Sequence, residues 1–82
     1  MTNVRDTIRR LVFGKLFLLP QQSWPSDEAD LFALGLDSLR VLELLLLIEE
    51  QLRVKLPDHE VAEERLASVA ALTAWVESQP QR

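Results

Sequence analysis

The chain has 82 residues, a net charge of -4, one histidine and no cysteine. Those numbers allow one small domain, which buries roughly 60% of its unfolded surface and is marginally stable. They exclude a disulfide framework and a thiolate metal site, and they argue against nucleic acid, whose phosphates call for clustered cations.

The first helix is expected from Thr2 or Asn3 to about Phe17, capped by either polar residue, with Asp6 at its positive end. Val4, Ile8, Leu11, Val12 and Lys15 share one helical face, with the Lys15 stem covering apolar surface. Gly14 is a mild penalty within it. Arg9-Arg10, the one basic cluster, reads as a solvated helix face. Pro20 ends the helix, and 21–37 reads as a long loop marked by Pro25, Ser23 and Ser26. Loops of this length often carry function or a short helix of their own. Ser26-Asp27-Glu28 can start such a turn, running to about Phe32. Leu31, Phe32, Leu34 and Leu36 are expected to pin the loop to the core, and Trp24 to pack on the bundle.

A second helix is expected from Ser38 to about Arg53. Val41, Leu44, Leu45, Ile48 and Leu52 form one apolar stripe, and Leu39, Leu42 and Leu46 another. Leucine on nearly every side suggests a helix buried on one face and meeting partners on the other. Pro57 and Asp58 suit the start of a short third helix, expected over about 58–64. Ser68 caps a last helix running to about Ser78, with Val69, Ala71, Leu72, Trp75 and Val76 inward. Residues 79–82 read as a flexible tail. No period-two strand is apparent. The fold class is therefore all-α: a four-helix bundle with a long first loop and a short third helix, in a single domain over 1–82 with its core at about 4–76.

The densest local signal is Gly35-Leu36-Asp37-Ser38-Leu39, where a glycine ends a loop and a helix begins. Eight of the ten residues from Leu39 to Ile48 are aliphatic. Asp37 and Ser38 are both preferred N-caps, and one of the pair is expected to close the second helix, its loss costing about 1 kcal/mol. Gly35 suits a left-handed turn. A nucleophilic serine needs a base within reach and an oxyanion site. His59 is the only histidine and nothing in the sequence places it near Ser38. No catalytic residues and no resident metal are expected.

The run Leu31-Phe32-Ala33-Leu34-Gly35-Leu36-Asp37-Ser38-Leu39, the aliphatic helix with Glu43 and Glu49-Glu50, and then Val54-Lys55-Leu56-Pro57-Asp58 together resemble the acyl carrier protein family. The resemblance spans roughly Val4 to Val76. It implies that Ser38 bears a covalent phosphopantetheine arm, transferred from coenzyme A by a phosphopantetheinyl transferase. The arm's thiol then carries an acyl or aminoacyl group as a thioester, and the protein itself is not an enzyme. Asp37 matches the family aspartate associated with Mg²⁺ during transfer, and Leu39 flanks the arm. Arg40, Leu42, Glu43, Leu46, Glu49 and Glu50 correspond, with Leu39, to the partner-facing side of the second helix.

A phosphodiester is suited to a helix N-terminus, where unpaired N–H groups and the dipole favour negative charge. Acidic residues on the helix steer basic enzyme surfaces. Arg40 stands where fatty-acid carriers usually have an acidic residue, and the overall charge is milder than is usual in that group; both suggest a dedicated partner set. The 57–68 stretch is slightly longer than in that group, closer to stand-alone aminoacyl or specialised-metabolism carriers. The resemblance implies a loading ligase and downstream biosynthetic enzymes as partners, in a specialised pathway rather than general fatty acid synthesis. The alternative is an unmodified helical interaction module that binds protein through the exposed leucines. Ser38→Ala discriminates the two: it abolishes loading in the first, with about 1 kcal/mol of stability lost, and leaves binding nearly intact in the second. A monomer in the cytoplasm is expected: the start of the chain lacks a signal-peptide pattern, and Leu39 to Ile48 is too short and too charged to span a bilayer.

Overall fold

The computed structural model describes residues 3 to 80. Helix α1, Val4–Arg9, continues without a break as a π-helix, Arg10–Leu16. Helix α2 is Ser38–Leu52, α3 is Glu63–Leu66 and α4 is Val69–Glu77. Three-residue 3₁₀ turns lie at Gln21–Ser23 and Asp58–Glu60. The described residues contain four α-helices and no strand. None of these helices is long and apolar enough to cross a membrane.

Asn3 caps α1, its side chain accepting from the Asp6 N–H at 2.8 Å. Thr2, the other expected cap, lies outside the described residues. The widening of α1 changes which residues face inward. An α-helical spacing places Lys15 on the core face, but Lys15 is exposed, and Phe13 and Leu16 are buried. Ile8 with Phe13 and Leu11 with Leu16 are five apart, the spacing that a π turn brings onto one face. Gly14 has a packing role rather than a mere penalty. A Cβ there would meet the Trp24 ring at 3.2 Å, so the missing side chain lets the indole sit against the helix.

Trp24 packs as expected. Its ring lies 6.1 Å from that of Phe13, and its Nε1–H donates to the Leu19 carbonyl at 3.0 Å. Just behind it, Asp27 accepts from Arg5 at 2.9 Å and from Arg9 at 2.6 Å. Arg9 also donates to the Pro25 carbonyl at 2.9 Å and stacks over Phe13 and Trp24. The hydrogen bond from Arg5, joined by Arg9, holds the Asp27 carboxyl below its ordinary value. The turn expected to run from Ser26 to Phe32 is not helical. Asp27 is committed to α1 instead, and its carbonyl accepts from the Ala70 N–H of α4 at 3.0 Å. Leu31 and Leu36 are buried anchors and Phe32 is half-buried, whereas Leu34 points out.

The third helix differs from its expected span of 58–64. Residues 58–60 make a 3₁₀ turn, Val61 and Ala62 are extended, and only 63–66 is α-helical. The cause is Glu60. Its carboxylate accepts from the Trp75 indole at 3.0 Å and from Gln79 at 2.9 Å, and Arg65 approaches at 3.6 Å. Those bonds tie the turn to α4. The hydrogen bonds from Trp75 and Gln79 also hold the Glu60 carboxyl below its ordinary value. Gln79 is thus hydrogen-bonded within the expected tail, while 81–82 lie outside the described residues. Ser68 caps α4 through the Ala71 N–H at 3.1 Å. Val69, Leu72, Trp75 and Val76 are buried against Ile8, Val12, Leu44 and Ile48 in one core.

Candidate functional site

Ser38 opens α2 at the end of the long loop. The loop closes on itself first: the Leu36 N–H donates to the Leu31 carbonyl at 3.0 Å, and Gly35 adopts φ 116°. That conformation is open to glycine and strained for other residues. Asp37 is extended and its Oδ1 accepts from the Arg40 N–H at 2.9 Å. Of the two candidate caps, Asp37 therefore does the capping. Ser38 occupies the first helical position, is exposed, and its hydroxyl takes part in no hydrogen bond among the described residues. The stability cost expected for Ser38→Ala belongs to Asp37 instead.

This arrangement leaves groups free for a ligand. The first N–H groups of a helix have no intrahelical acceptor. Arg40 gives its own to Asp37, and those of Ser38 and Leu39 have no hydrogen-bond partner among the described residues. Asp37 uses one carboxylate oxygen as the cap and retains the other. Beside Ser38 runs an open groove of about 690 Å³, lined by Phe32, Leu36, Val41, Leu42, Val61 and Leu66 among others. The charged side chains on its rim, Asp37 and Glu63, are both acidic. No group of three or more metal-ligating side chains occurs among the described residues.

The other predicted residues divide into two sets. Leu39, Leu42 and Leu46 are 70%, 61% and 67% exposed and follow one side of α2. Glu43 and Glu50 are exposed beside them. Arg40 and Glu49 are instead held by the fold. The Arg40 guanidinium donates to the Leu16 carbonyl at 3.0 Å and stacks over Phe17. It thereby ties the end of the first helix to the start of α2. Glu49 accepts from the Leu56 N–H at 2.8 Å and fixes the segment that follows α2. Sequence reasoning did not find these two clamps. Their hydrogen-bond partners are backbone groups, which leave no mark in side-chain patterns.

The family model for the phosphopantetheine attachment site matches residues 6–76. The chain belongs to that family. An acyl carrier protein of Wolinella succinogenes is 30% identical over 73 residues, covering 89% of this chain and 92% of that protein. A carrier-sized chain, 32% identical with a TM-score of 0.77, covers 93% of this chain and 99% of its own length. It comes from a crystal structure of an engineered Bradyrhizobium japonicum glycine:carrier protein ligase complexed with a carrier protein from Agrobacterium tumefaciens and ATP.

The protein is accordingly a carrier and not an enzyme, and its cofactor is a phosphopantetheine attached covalently to a serine. The residues at the head of α2 fit that group. An exposed hydroxyl stands beside two unpaired N–H groups for a phosphodiester, and an apolar groove lies alongside for an arm.

Proposed function

We propose that Ser38 is the attachment residue and that the carried group is an aminoacyl thioester in a specialised biosynthetic pathway. The observation that carries the first part is the division of labour at the head of α2: Asp37 caps the helix and leaves the Ser38 hydroxyl exposed and uncommitted. The bound arm supplies a thiol, which a protein without cysteine lacks. Ser38 offers the oxygen to which the arm would be joined, and the unpaired N–H groups of Ser38 and Leu39 would be available to its phosphodiester. The free Asp37 oxygen is available to a divalent cation held by the transferring enzyme.

Two observations support an aminoacyl cargo. The similar carrier chain comes from a complex with a glycine:carrier protein ligase. The groove beside Ser38 is apolar with carboxylates alone as charged rim groups. Carboxylates favour a cargo bearing an ammonium group over one bearing a second carboxylate. The partners on this reading are a phosphopantetheinyl transferase, an aminoacyl-loading ligase and downstream biosynthetic enzymes in the cytoplasm. They meet the exposed leucines of α2, with Glu43 and Glu50 steering basic surfaces toward it.

The test is intact mass after incubation with coenzyme A, Mg²⁺ and a broad-specificity phosphopantetheinyl transferase, with Ser38→Ala in parallel. The wild type gains one phosphopantetheine and the variant none. No gain by folded wild type with two different transferases would overturn the assignment and leave an unmodified interaction module. The holo-protein is then offered glycine with ATP and a glycine:carrier protein ligase, and a fatty acid with its own ligase. Faster aminoacyl transfer is expected. Equal or faster fatty-acyl transfer would overturn the cargo assignment.

A further inference from the structure

The α3 side of the groove beside Ser38 carries a carboxylate that the fold does not use. Glu63 opens α3, is exposed, and enters no hydrogen bond or ion pair among the described residues. Arg65, the cation of the same short helix, is committed elsewhere. Its guanidinium approaches Glu60 at 3.6 Å and lies over the Trp75 ring at 5.7 Å. The backbone that carries Glu63 is nevertheless held on both sides. Glu60, three residues earlier, is bonded to Trp75 and Gln79, and Leu66, three residues later, is buried in the core. The free charge is thus presented at a set place on the groove wall.

The groove changes character from one side to the other. Asp37 and Ser38 stand at the head of α2, apolar side chains including Val41, Leu42 and Leu66 follow, and Glu63 stands on α3. Asp37 is adjacent to the attachment oxygen, and one of its carboxylate oxygens already caps α2. An arm begins there. The far end of an arm laid across the groove arrives on the other side, at Glu63. Glu63 and Phe32 also line an adjoining groove of about 590 Å³, whose other charged side chains, Glu28, Asp30 and Glu64, are again carboxylates. Neither groove is lined by a lysine or arginine that would neutralise Glu63. An aminoacyl group ends in an ammonium and a plain acyl group in a methyl, so the two cargoes differ in what Glu63 offers them.

We propose that Glu63 receives the ammonium group of an aminoacyl thioester when the arm lies along the groove between enzymes, and so distinguishes aminoacyl from plain acyl cargo. This deepens the reading of Ser38 as the attachment residue and of the cargo as aminoacyl, and rests on both. The pair is open to solvent, so it biases the resting position of the arm by a few-fold and does not lock it.

The experiment compares two loaded forms of the ¹⁵N-labelled protein that differ only in the ammonium. Coenzyme A analogues that carry a glycyl or an acetyl group through an amide, in place of the thioester, are attached by a broad-specificity transferase with Mg²⁺ and without a ligase. Amide NMR spectra are recorded for wild type, Glu63→Gln and Glu64→Gln, with urea denaturation to verify folding. In wild type the signals of Val61, Ala62 and Glu63 differ between the glycyl and acetyl forms, and the difference shrinks at about 1 M salt. Glu63→Gln reduces it about threefold, the size of an exposed ion pair. Glu64→Gln removes the same charge from a side chain that does not line the Ser38 groove, and leaves the difference unchanged. Glycyl and acetyl forms with matching signals at 61–63 overturn the proposal. So does a difference that survives Glu63→Gln, or one that Glu64→Gln reduces equally, which would belong to the acidic surface at large. A wild type that accepts neither analogue refutes the reading of Ser38 instead, and this proposal with it. Because the glycyl group is installed without a ligase, a preference of the loading ligases for fatty acid refutes the cargo reading by a separate measurement.

Discussion

Asp37 and Ser38 are adjacent and both are good helix caps, yet the geometry assigns them separate duties. Asp37 lies outside α2 with extended backbone, and its Oδ1 satisfies the Arg40 N–H at 2.9 Å. Ser38 is inside the helix, exposed, with an uncommitted hydroxyl. Removing the cap by Asp37→Ala should cost about 1 kcal/mol. In a domain of this size that lowers Tm by about 4–8 °C. Ser38→Ala removes no hydrogen bond and trades serine for a better helix former, so its stability should stay within about 0.5 kcal/mol of wild type. Asp37→Asn supplies the decisive control. Asparagine caps as well as aspartate, so the fold keeps its stability while the free anionic oxygen is lost. The assay is thermal and urea denaturation followed by circular dichroism at 222 nm, paired with the rate of phosphopantetheine transfer. Ser38→Ala should be stable and unmodified, Asp37→Ala unstable, and Asp37→Asn stable but modified slowly. A loss of about 1 kcal/mol in Ser38→Ala with none in Asp37→Ala would refute the assignment of the cap.

Three further outcomes follow from the clamps and from the seating of Trp24 at Gly14. Hydrogen bonds hold the Asp27 and Glu60 carboxyls below their ordinary values of 3.8 and 4.5. Their stabilisation is therefore complete above those values and is lost as the pH falls through the lower folded-state values. Urea midpoints should be flat from pH 7 to about 5 and fall below that, more shallowly in Asp27→Asn with Glu60→Gln; an equally steep fall would refute the role of these groups. Glu49→Ala frees the Leu56 N–H and should cost about 1–2 kcal/mol in urea denaturation, whereas Glu50→Ala should be neutral within about 0.5 kcal/mol. Gly14→Ala, stabilising in an ordinary exposed helix, places a Cβ 3.2 Å from the Trp24 ring. It should displace the indole and shift Trp24 fluorescence to the red, measured against a Trp75→Phe background; an unchanged spectrum would refute the packing role of Gly14.

The sequence made α2 legible because two independent signals coincide there. A cap pair opens the helix at Ser38, and the apolar spacing separates Leu44 and Ile48, which are fully buried, from Leu39, Leu42 and Leu46, which are exposed. The first helix was legible as a helix but not in its pitch. Wide turns bring residues five apart onto one face, and the same helix seats, at Gly14, the indole of a residue ten positions further on. Local periodicity cannot report that contact, and it placed Lys15 where Leu16 is found. The third helix failed for a similar reason. Proline and aspartate marked a helix start correctly at 57–58, but Glu60 is drawn to the Trp75 indole and the chain is extended at 61–62 before α3 begins. Both misses occur where the chain makes long-range contacts that local periodicity does not encode.

The placement of the polar clamps bears on how a marginal domain keeps an apolar surface exposed. Asp27 ties the long loop to α1 and α4, and Glu60 ties the 3₁₀ turn to α4. Near Ser38 the fold relies on the Asp37 cap and on Arg40, whose guanidinium reaches back to the Leu16 carbonyl. None of these contacts uses the Ser38 hydroxyl or the side chains of Leu39, Leu42, Glu43 or Leu46. The residues that hold the fold and the residues proposed to meet an arm or an enzyme are thus largely separate sets. Substitutions at Leu39, Leu42 and Leu46 should change partner kinetics without lowering stability, because side chains 61% to 70% exposed have little burial to lose. Arg40 is the exception. It stands two residues from Ser38, yet its guanidinium is spent on the Leu16 carbonyl and the Phe17 ring. Its replacement disturbs the scaffold and the proposed docking surface together. Arg40→Ala therefore cannot by itself reveal a charge contact with a partner, whereas Arg40→Lys keeps the charge and loses the planar guanidinium, separating the two effects.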